Sequence, residues 1–371
     1  MRMSVKDRVV SWYVNNIILP KIEITDNPGF ILENMSSIKP SVVLREIFLP
    51  ESLVACLEDR VGRSLYAVGK KFGYIYSGLS DFPRIDELSR KEFVNFVYFL
   101  IRYTEGTYAS RITHELDYEH KSMKIAMTNY IVCRRNGMGS LFSEGGIAGI
   151  WAYMMRDKTV EAVQETCQGR GDKRCEVITA PYRVLRDMGK RPQVCTQLEK
   201  ATLDRTYLDI NKARPARWAS HSLKSMMESG FFKYAHGQVT FKGERFFLTE
   251  ASFMYVLEEE LRKEKNGLSA LWDVSFDCGK HIAAVSGQND PSMFIPDFLP
   301  ALGFGDIMVT SHPWKVMVNC FPWGKWSDAA DFVMFRGLLS GLITGMTGRG
   351  VRLQRIQKDV SGEGFSLIVQ E

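Results

Sequence analysis

Cys167 and Cys175 flank the loop Gln168-Gly169-Arg170-Gly171-Asp172-Lys173-Arg174. Its two glycines permit the sharp reversal that would bring two strand ends, and with them two thiols, together. Paired thiolates make half of a tetrahedral site of the kind zinc occupies, and such a site needs about two more ligands. Glu161 and Glu165, on the strand leading into the loop, are the candidates. Without a metal, both thiols would be small apolar fillers at the base of a hairpin. A second constellation is aromatic: Phe142, Trp151, Tyr153, Met154 and Met155, with His114 and Tyr118 on the preceding segment. Trp and Tyr rings can stack on a planar apolar ligand while a His nitrogen or Tyr hydroxyl anchors a polar substituent. An aromatic helix face packed on a sheet as ordinary core would use the same residues.

Other chemistry finds less support. No G-x-G-x-x-G follows a strand, and neither a nucleophile elbow nor H-E-x-x-H occurs, so no nucleotide cofactor is implied. Hydride chemistry would need a donor supplied by another protein. Asp117, Glu119 and Cys133 have no spacing that separates acid–base groups from solvated loop residues. Cys278 and His281, in DCGKH, have the spacing of two ligands on a helical turn but no nearby partners, and read as structural.

The elements that must position these groups can be argued locally. Ser89 with Glu92 forms a capping box ahead of Phe93, Phe96, Val97 and Leu100 at helical spacing. Pro50 and Gly62 bracket Leu53, Leu57 and Val61 in a second helix. Met123, Ile125, Met127, Asn129 and Ile131 alternate as a strand that enters a turn at Gly137 and Gly139. A helix at about 147–156 leads to strands over Thr159 to Thr166 and over EVITAP, joined by the cysteine loop. The expected fold class is α+β, with helices packed on an antiparallel sheet.

Four anchors recur in order across the chain: Phe48-Leu49-Pro50-Glu51 with Phe247-Leu248-Thr249-Glu250, Tyr76-Ser77-Gly78 with Val285-Ser286-Gly287, Met127-Thr128-Asn129 with Met317-Val318-Asn319, and Gly145 to Gly149 with Gly337 to Gly341. They predict two tandem homologous domains, 40–182 and 225–371, after an N-terminal extension over 1–39. Asp359 stands where Cys167 would in the second copy, with Phe365 or Ser366 where Cys175 would, so that copy is degenerate at the thiol loop. Homologous halves in one chain can pack about a pseudo-twofold axis, as single-domain relatives would in a homodimer.

Residues 183–224 form a basic connector, with ten Lys/Arg against four Asp/Glu, in a 371-residue chain of net charge +5. Such a segment could attract nucleic acid through Lys190, Arg191, Lys212, Arg214 and Arg217, but solvated linkers are commonly this charged and no helix-turn-helix is present. Nucleic acid is therefore not the expected partner. The chain is 45% apolar and 25% charged, and no run of about 18 uncharged apolar residues suggests a membrane span. Seven cysteines with one close pair fit a reducing compartment, and with no secretory h-region the expected location is cytoplasmic.

The stretch from Gly145 to Val177, GGIAGIWAYMMRDKTVEAVQETCQGRGDKRCEV, resembles the C-terminal signature of the 4-vinyl reductase domain family, and FLPESLVACLEDRVG resembles that family's first helix. The resemblance implies the fold of the nitric-oxide-signalling and Golgi-transport ligand-binding superfamily, with an apolar pocket between helices and sheet. Family members include components that reduce the 4-vinyl group of bacteriochlorophyll precursors, phenol-responsive sensor domains and transport-complex scaffolds. In the sensors a structural zinc is held by the two motif cysteines, an acidic residue three positions before the first and a further upstream cysteine. Cys167 and Cys175 match, Gln164 takes the acidic position and Cys133 is the nearest upstream cysteine. The expected function is binding or sensing of a small hydrophobic or aromatic molecule through His114, Tyr118, Phe142, Trp151 and Tyr153, with zinc at Cys167 and Cys175. A tetrapyrrole reductase component or substrate carrier, and a scaffold with a stable protein partner, are the alternatives.

Overall fold

The computed structural model describes residues 27–34, 43–130, 141–198, 216–235, 238–311, 313–322, 331–358 and 364–369. Strands β1 (Ile31–Asn34) and β2 (Val43–Pro50) precede helices α1 (Glu51–Val61), α2 (Ser64–Leu79) and α3 (Arg90–Tyr108). Hairpin β3 (Arg111–Asp117) and β4 (Ser122–Thr128), helix α4 (Leu141–Met155), hairpin β5 (Val160–Thr166) and β6 (Cys175–Pro181), and the short α5 (Tyr182–Asp187) follow. Beyond the connector come α6 (Leu223–Glu228), then β7 (Lys233–Ala235), β8 (Gln238–Phe241) and β9 (Glu244–Glu250). The chain continues through α7 (Ser252–Arg262), α8 (Gly267–Ser286), α9 (Pro291–Ala301), β10 (Asp306–Thr310) and β11 (Lys315–Asn319). It finishes with α10 (Val333–Thr347), β12 (Leu353–Lys358) and β13 (Gly364–Val369). The fold is mixed α+β, with helices against antiparallel sheets.

Local signals account for the boundaries. Ser89 and Glu92 close a reciprocal capping box at the start of α3, the Ser89 N–H donating to the Glu92 carboxylate at 2.9 Å. Pro50 ends β2 and stands at the N-cap of α1, while Gly62, at φ 54°, lets the chain leave that helix with its N–H on the Glu58 carbonyl.

The three sheets run β1-β2-β9-β8-β7, β3-β4-β6-β5 and β10-β11-β13-β12, so the two four-stranded sheets share one strand order. In the five-stranded sheet β2 lies antiparallel to β9, with Phe48 opposite Leu248 and Leu49 opposite Phe247. The first pair of matched tetrapeptides is thus brought side by side as strands, although the sequence marks them only as helix openings.

Two helix pairs approach closely because glycines stand where they cross. An added Cβ at Gly145 would lie 2.2 Å from the Tyr66 carbonyl oxygen, and one at Gly149 2.0 Å from that of Lys70, joining α4 to α2. Gly337 and Gly341 place α10 against Trp272 and Phe276 of α8 in the same manner. This packing pairs Gly73 with Gly279, so Tyr76-Ser77-Gly78 corresponds to Ile282-Ala283-Ala284, nearly one helical turn from the match read in the sequence.

The core does not divide at the connector. One buried cluster joins Leu53, Leu57, Val68 and Phe142 to Phe253, Leu271 and Leu338. Phe253 of α7 packs on Phe72 and Phe142 with ring centroids 5.4 and 4.9 Å apart, and Lys71 pairs with Glu260 at 2.6 Å. The two halves pack into one another: besides the pairing in the central sheet, α1 and α7 each pack on helices of the other half.

Candidate functional site: an apolar cavity under the central sheet

A cavity of about 150 Å³ lies between α2, α3, α4, the β3–β4 hairpin and strand β9. Helical periodicity places α4 around it. Ser143, Gly146, Ile147 and Ile150 share the face that lines the cavity, Gly145 and Gly149 turn toward α2, and Trp151 falls on a third face. Such a helix is apolar all round because it is enclosed all round, with Ala148, Trp151, Ala152 and Met155 each no more than 1% exposed. Alternation on β4 sends Met123, Ile125 and Met127 to the same cavity, with Ile112 from β3. Phe72 and Tyr76 come from α2, and Leu100, Tyr103, Thr104 and Tyr108 from α3.

The remaining wall, Phe247 to Glu250 of β9, comes from the other half of the chain. Thr249 is 3% exposed, and its hydroxyl has no hydrogen-bond partner among the described residues. The hydroxyl of Thr104, by contrast, is satisfied by the Leu100 carbonyl at 2.8 Å.

Two carboxylates lie at the N-terminal end of α4. Glu58 of α1 accepts the Phe142 N–H at 3.3 Å, and burial pushes its pKa up to about 7 against the lowering effect of its backbone donors. Glu144 accepts the Gln164 N–H at 2.7 Å and is likewise raised by burial to about 7, with Arg170 opposing the shift. Nearby, Lys70 and Glu161 form a fully buried ion pair at 2.8 Å, and the Tyr66 hydroxyl donates to Glu161 at 2.6 Å. Burial pulls Lys70 down and pushes Glu161 up, while their mutual attraction opposes both shifts. The Cys195 N–H closes this cluster on Glu161 at 3.0 Å.

The expected zinc site is overturned. Among the described residues no group of three or more His, Cys, Asp or Glu side chains could hold a metal ion. Cys167 and Cys175 are buried at the base of the β5–β6 hairpin. The loop closes with hydrogen bonds of its own: the Cys167 N–H donates to Asp172 at 2.8 Å and the Gln168 N–H to the Cys175 Sγ at 3.4 Å. Glu161 is held by Lys70 and Tyr66. Strand β5 does bulge between Gln164 and Thr166, yet Glu165 pairs with Lys124 and Lys190. A carboxylate already neutralised by a lysine is a poor recruit for two thiolates. Cys133, Asp359 and the side chain of Phe365 lie outside the described residues, as do the turn at Gly137 and Gly139 and most of the N-terminal extension.

Of the five residues expected to contact ligand, Phe142 lines the cavity. His114 lies opposite Ile125 on β3, with its ring against Tyr98 of α3 at 5.9 Å. Tyr118 sits edge-on to Phe93 and beneath Arg90. The Trp151 indole N–H donates to the Lys121 carbonyl at 2.8 Å, and Tyr153 packs on Tyr74 and Arg84. His114, Tyr118 and Trp151 therefore hold α3, α4 and the β3–β4 hairpin together, while Tyr153 ties α4 to α2 and the loop after it. The β9 segment is the part that sequence reasoning missed, since nothing local to FFLTE indicates that it covers a space built by residues 72–150.

Elsewhere, His281 approaches Glu244 at 3.6 Å, and Cys278 lies 3.9 Å from the Ser52 hydroxyl. Of the basic residues in the connector, Lys190 is paired to Glu165, the Arg217 N–H donates to Asp306 at 2.7 Å, and Lys212 and Arg214 lie outside the described residues. Among the described residues no helix is long and apolar enough to cross a membrane.

No protein-family model matches the chain, and no curated protein matches it. The likeness of residues 145–177 to the 4-vinyl reductase signature thus has no family-level match behind it, and the zinc ligand set that was its most specific implication is not assembled among the described residues.

Proposed function

We propose that this protein binds a small, predominantly apolar molecule of about one aromatic ring in the cavity beneath β9. The single observation that carries the reading is the cavity, about 150 Å³ and walled mainly by aliphatic, methionine and aromatic side chains, with Thr104, Ser143, Thr249 and Glu250 among them. An apolar cavity of that size has room for a benzene-sized guest. A tetrapyrrole needs several times this space, in the range of sites for drug-sized ligands. Because α2, α3 and α4 form one side and β9 the other, an occupant contacts both halves of the chain, which suits a sensor whose output depends on how the halves pack.

We further infer that the halves are diverged copies, about 40–182 and 225–371, which supports a division of labour between them. The shared strand order, the glycine crossings and a repeated cap support this: Glu58 of α1 caps α4, and Glu258 of α7 accepts the Val333 N–H of α10 at 2.9 Å. Where α4 presents Ser143 and Gly146 to a cavity, the matched positions of α10 are Phe335 and Leu338. Phe335 stacks on Phe304 at 5.6 Å and packs against Phe321 at 4.7 Å. Rings filling the second copy would leave ligand binding to the first.

Toluene tests the proposal. Saturation at about one hundred times its Kd should stabilise the fold by about 2.7 kcal/mol, read as a rise in the unfolding midpoint. Gly146→Leu should abolish that rise, because a side chain at Gly146 enters open space at the cavity wall. Equal stabilisation of both proteins would show that toluene binds elsewhere.

A further inference from the structure

We infer that Thr249 is the polar anchor of the cavity and that the ligand carries one hydrogen-bonding substituent on its apolar body. The inference rests on the proposal that the cavity binds a ligand, and adds to it the ligand's chemical class and the residue that selects it. Buried hydroxyls in folded proteins almost always find a partner, and leaving one unmade is unfavourable. Among the described residues the Thr249 hydroxyl has none, although the residue is 3% exposed and lines the cavity. The hydroxyls of Thr104, Ser77 and Ser275 are satisfied within their own elements, on Leu100, Gly73 and Leu271. Those three are helical and reach back to the carbonyl one turn earlier, a route closed to a strand residue. Thr249 lies on β9 opposite Ile47, whose aliphatic side chain offers no polar atom.

The arrangement is that of a selective site. A mostly apolar wall rewards any ring that fits, and the unsatisfied hydroxyl of a wall residue rewards a ring with a hydroxyl, carbonyl or amine at the right edge. Because Thr249 belongs to the C-terminal half and the facing wall to the N-terminal half, a ligand bonded to it ties the halves together.

Toluene and benzyl alcohol are the probes, with the dissociation constant of each measured by calorimetry for the full chain and for Thr249→Val and Thr249→Ser. The expected result is that benzyl alcohol loses affinity on the order of tenfold in Thr249→Val and keeps it in Thr249→Ser, while toluene binds all three alike or binds Thr249→Val slightly better. Without ligand, Thr249→Val should also raise the denaturation midpoint, since a methyl group replaces an unsatisfied hydroxyl. If both probes bind and neither distinguishes Thr249→Val from the parent, the anchor is wrong and the cavity reading survives. Failure of both probes to bind the parent chain would overturn the cavity reading and the anchor with it.

Discussion

Gly145 and Gly146 are neighbours on one turn of α4, and alanine at the two positions should move stability in opposite directions. At Gly145 the new Cβ would stand 2.2 Å from the Tyr66 carbonyl oxygen and 2.8 Å from the Lys70 amide nitrogen, both backbone atoms of α2. Relief requires the two helices to separate, and overpacking of this kind costs about 1–3 kcal/mol or more. The gain of about 0.5–1 kcal/mol for replacing glycine within a helix offsets only part of it. Gly146→Ala gains the same helix term, meets no atom within 4 Å and buries one methyl group at the cavity wall for about 0.8 kcal/mol more. The two variants should therefore differ by about 2–4 kcal/mol, with Gly145→Ala below the parent and Gly146→Ala above it. Urea unfolding monitored by tryptophan fluorescence reads the difference as displaced midpoints at constant slope. If the two midpoints coincide, or Gly146→Ala falls below the parent, the close α2–α4 crossing and the open space beside it are both misplaced.

The buried pair Lys70 and Glu161 should respond asymmetrically to mutation. Lys70→Met alone leaves a buried carboxylate with only Tyr66 and the Cys195 amide and should cost about 3–5 kcal/mol, whereas Lys70→Met with Glu161→Leu should recover most of that loss, a comparison suited to a double-mutant cycle. Glu58 supplies a pH dependence whose sign follows from its raised pKa. The native state retains a proton that the unfolded chain has already released, so stability should fall as pH rises from about 4.5 to about 7 and flatten above. The full effect is on the order of 3 kcal/mol. Glu58→Gln keeps an oxygen for the Phe142 N–H and should remove the Glu58 share of the slope, leaving that of Glu144, which burial also raises to about 7; urea midpoints for both proteins between pH 5 and 8 would show an undiminished slope if Glu58 contributed nothing.

Much of the local structure was legible because its causes are local. The capping box at Ser89 and Glu92, the stop at Gly62, the alternation of Met123, Ile125 and Met127 and the hairpin between Cys167 and Cys175 each depend on residues within a few positions of one another. The candidate site was legible only in part. Phe142 could be named because aromatic residues on a buried helix have few places to go, but Trp151 lies on the same helix and points to a different layer. Composition cannot separate the two, since the face that meets a cavity and the face that meets a sheet are both apolar. The thiol pair shows the same limit from the other side: the loop brings Cys167 and Cys175 to one hairpin base, whereas the carboxylates beside them are claimed by Lys70, Lys124 and Lys190 from elsewhere in the chain.

What the sequence determined by itself is the α+β class and the helix and strand boundaries set by caps and glycines. The tertiary structure alone decided that Phe48 and Leu49 pair with Leu248 and Phe247, that Phe253 packs on Phe142, and that Thr249 lines a cavity built by the other half. Strand pairing over such a separation is selected by the complementarity of whole faces and the burial it brings. No short stretch of sequence carries that information.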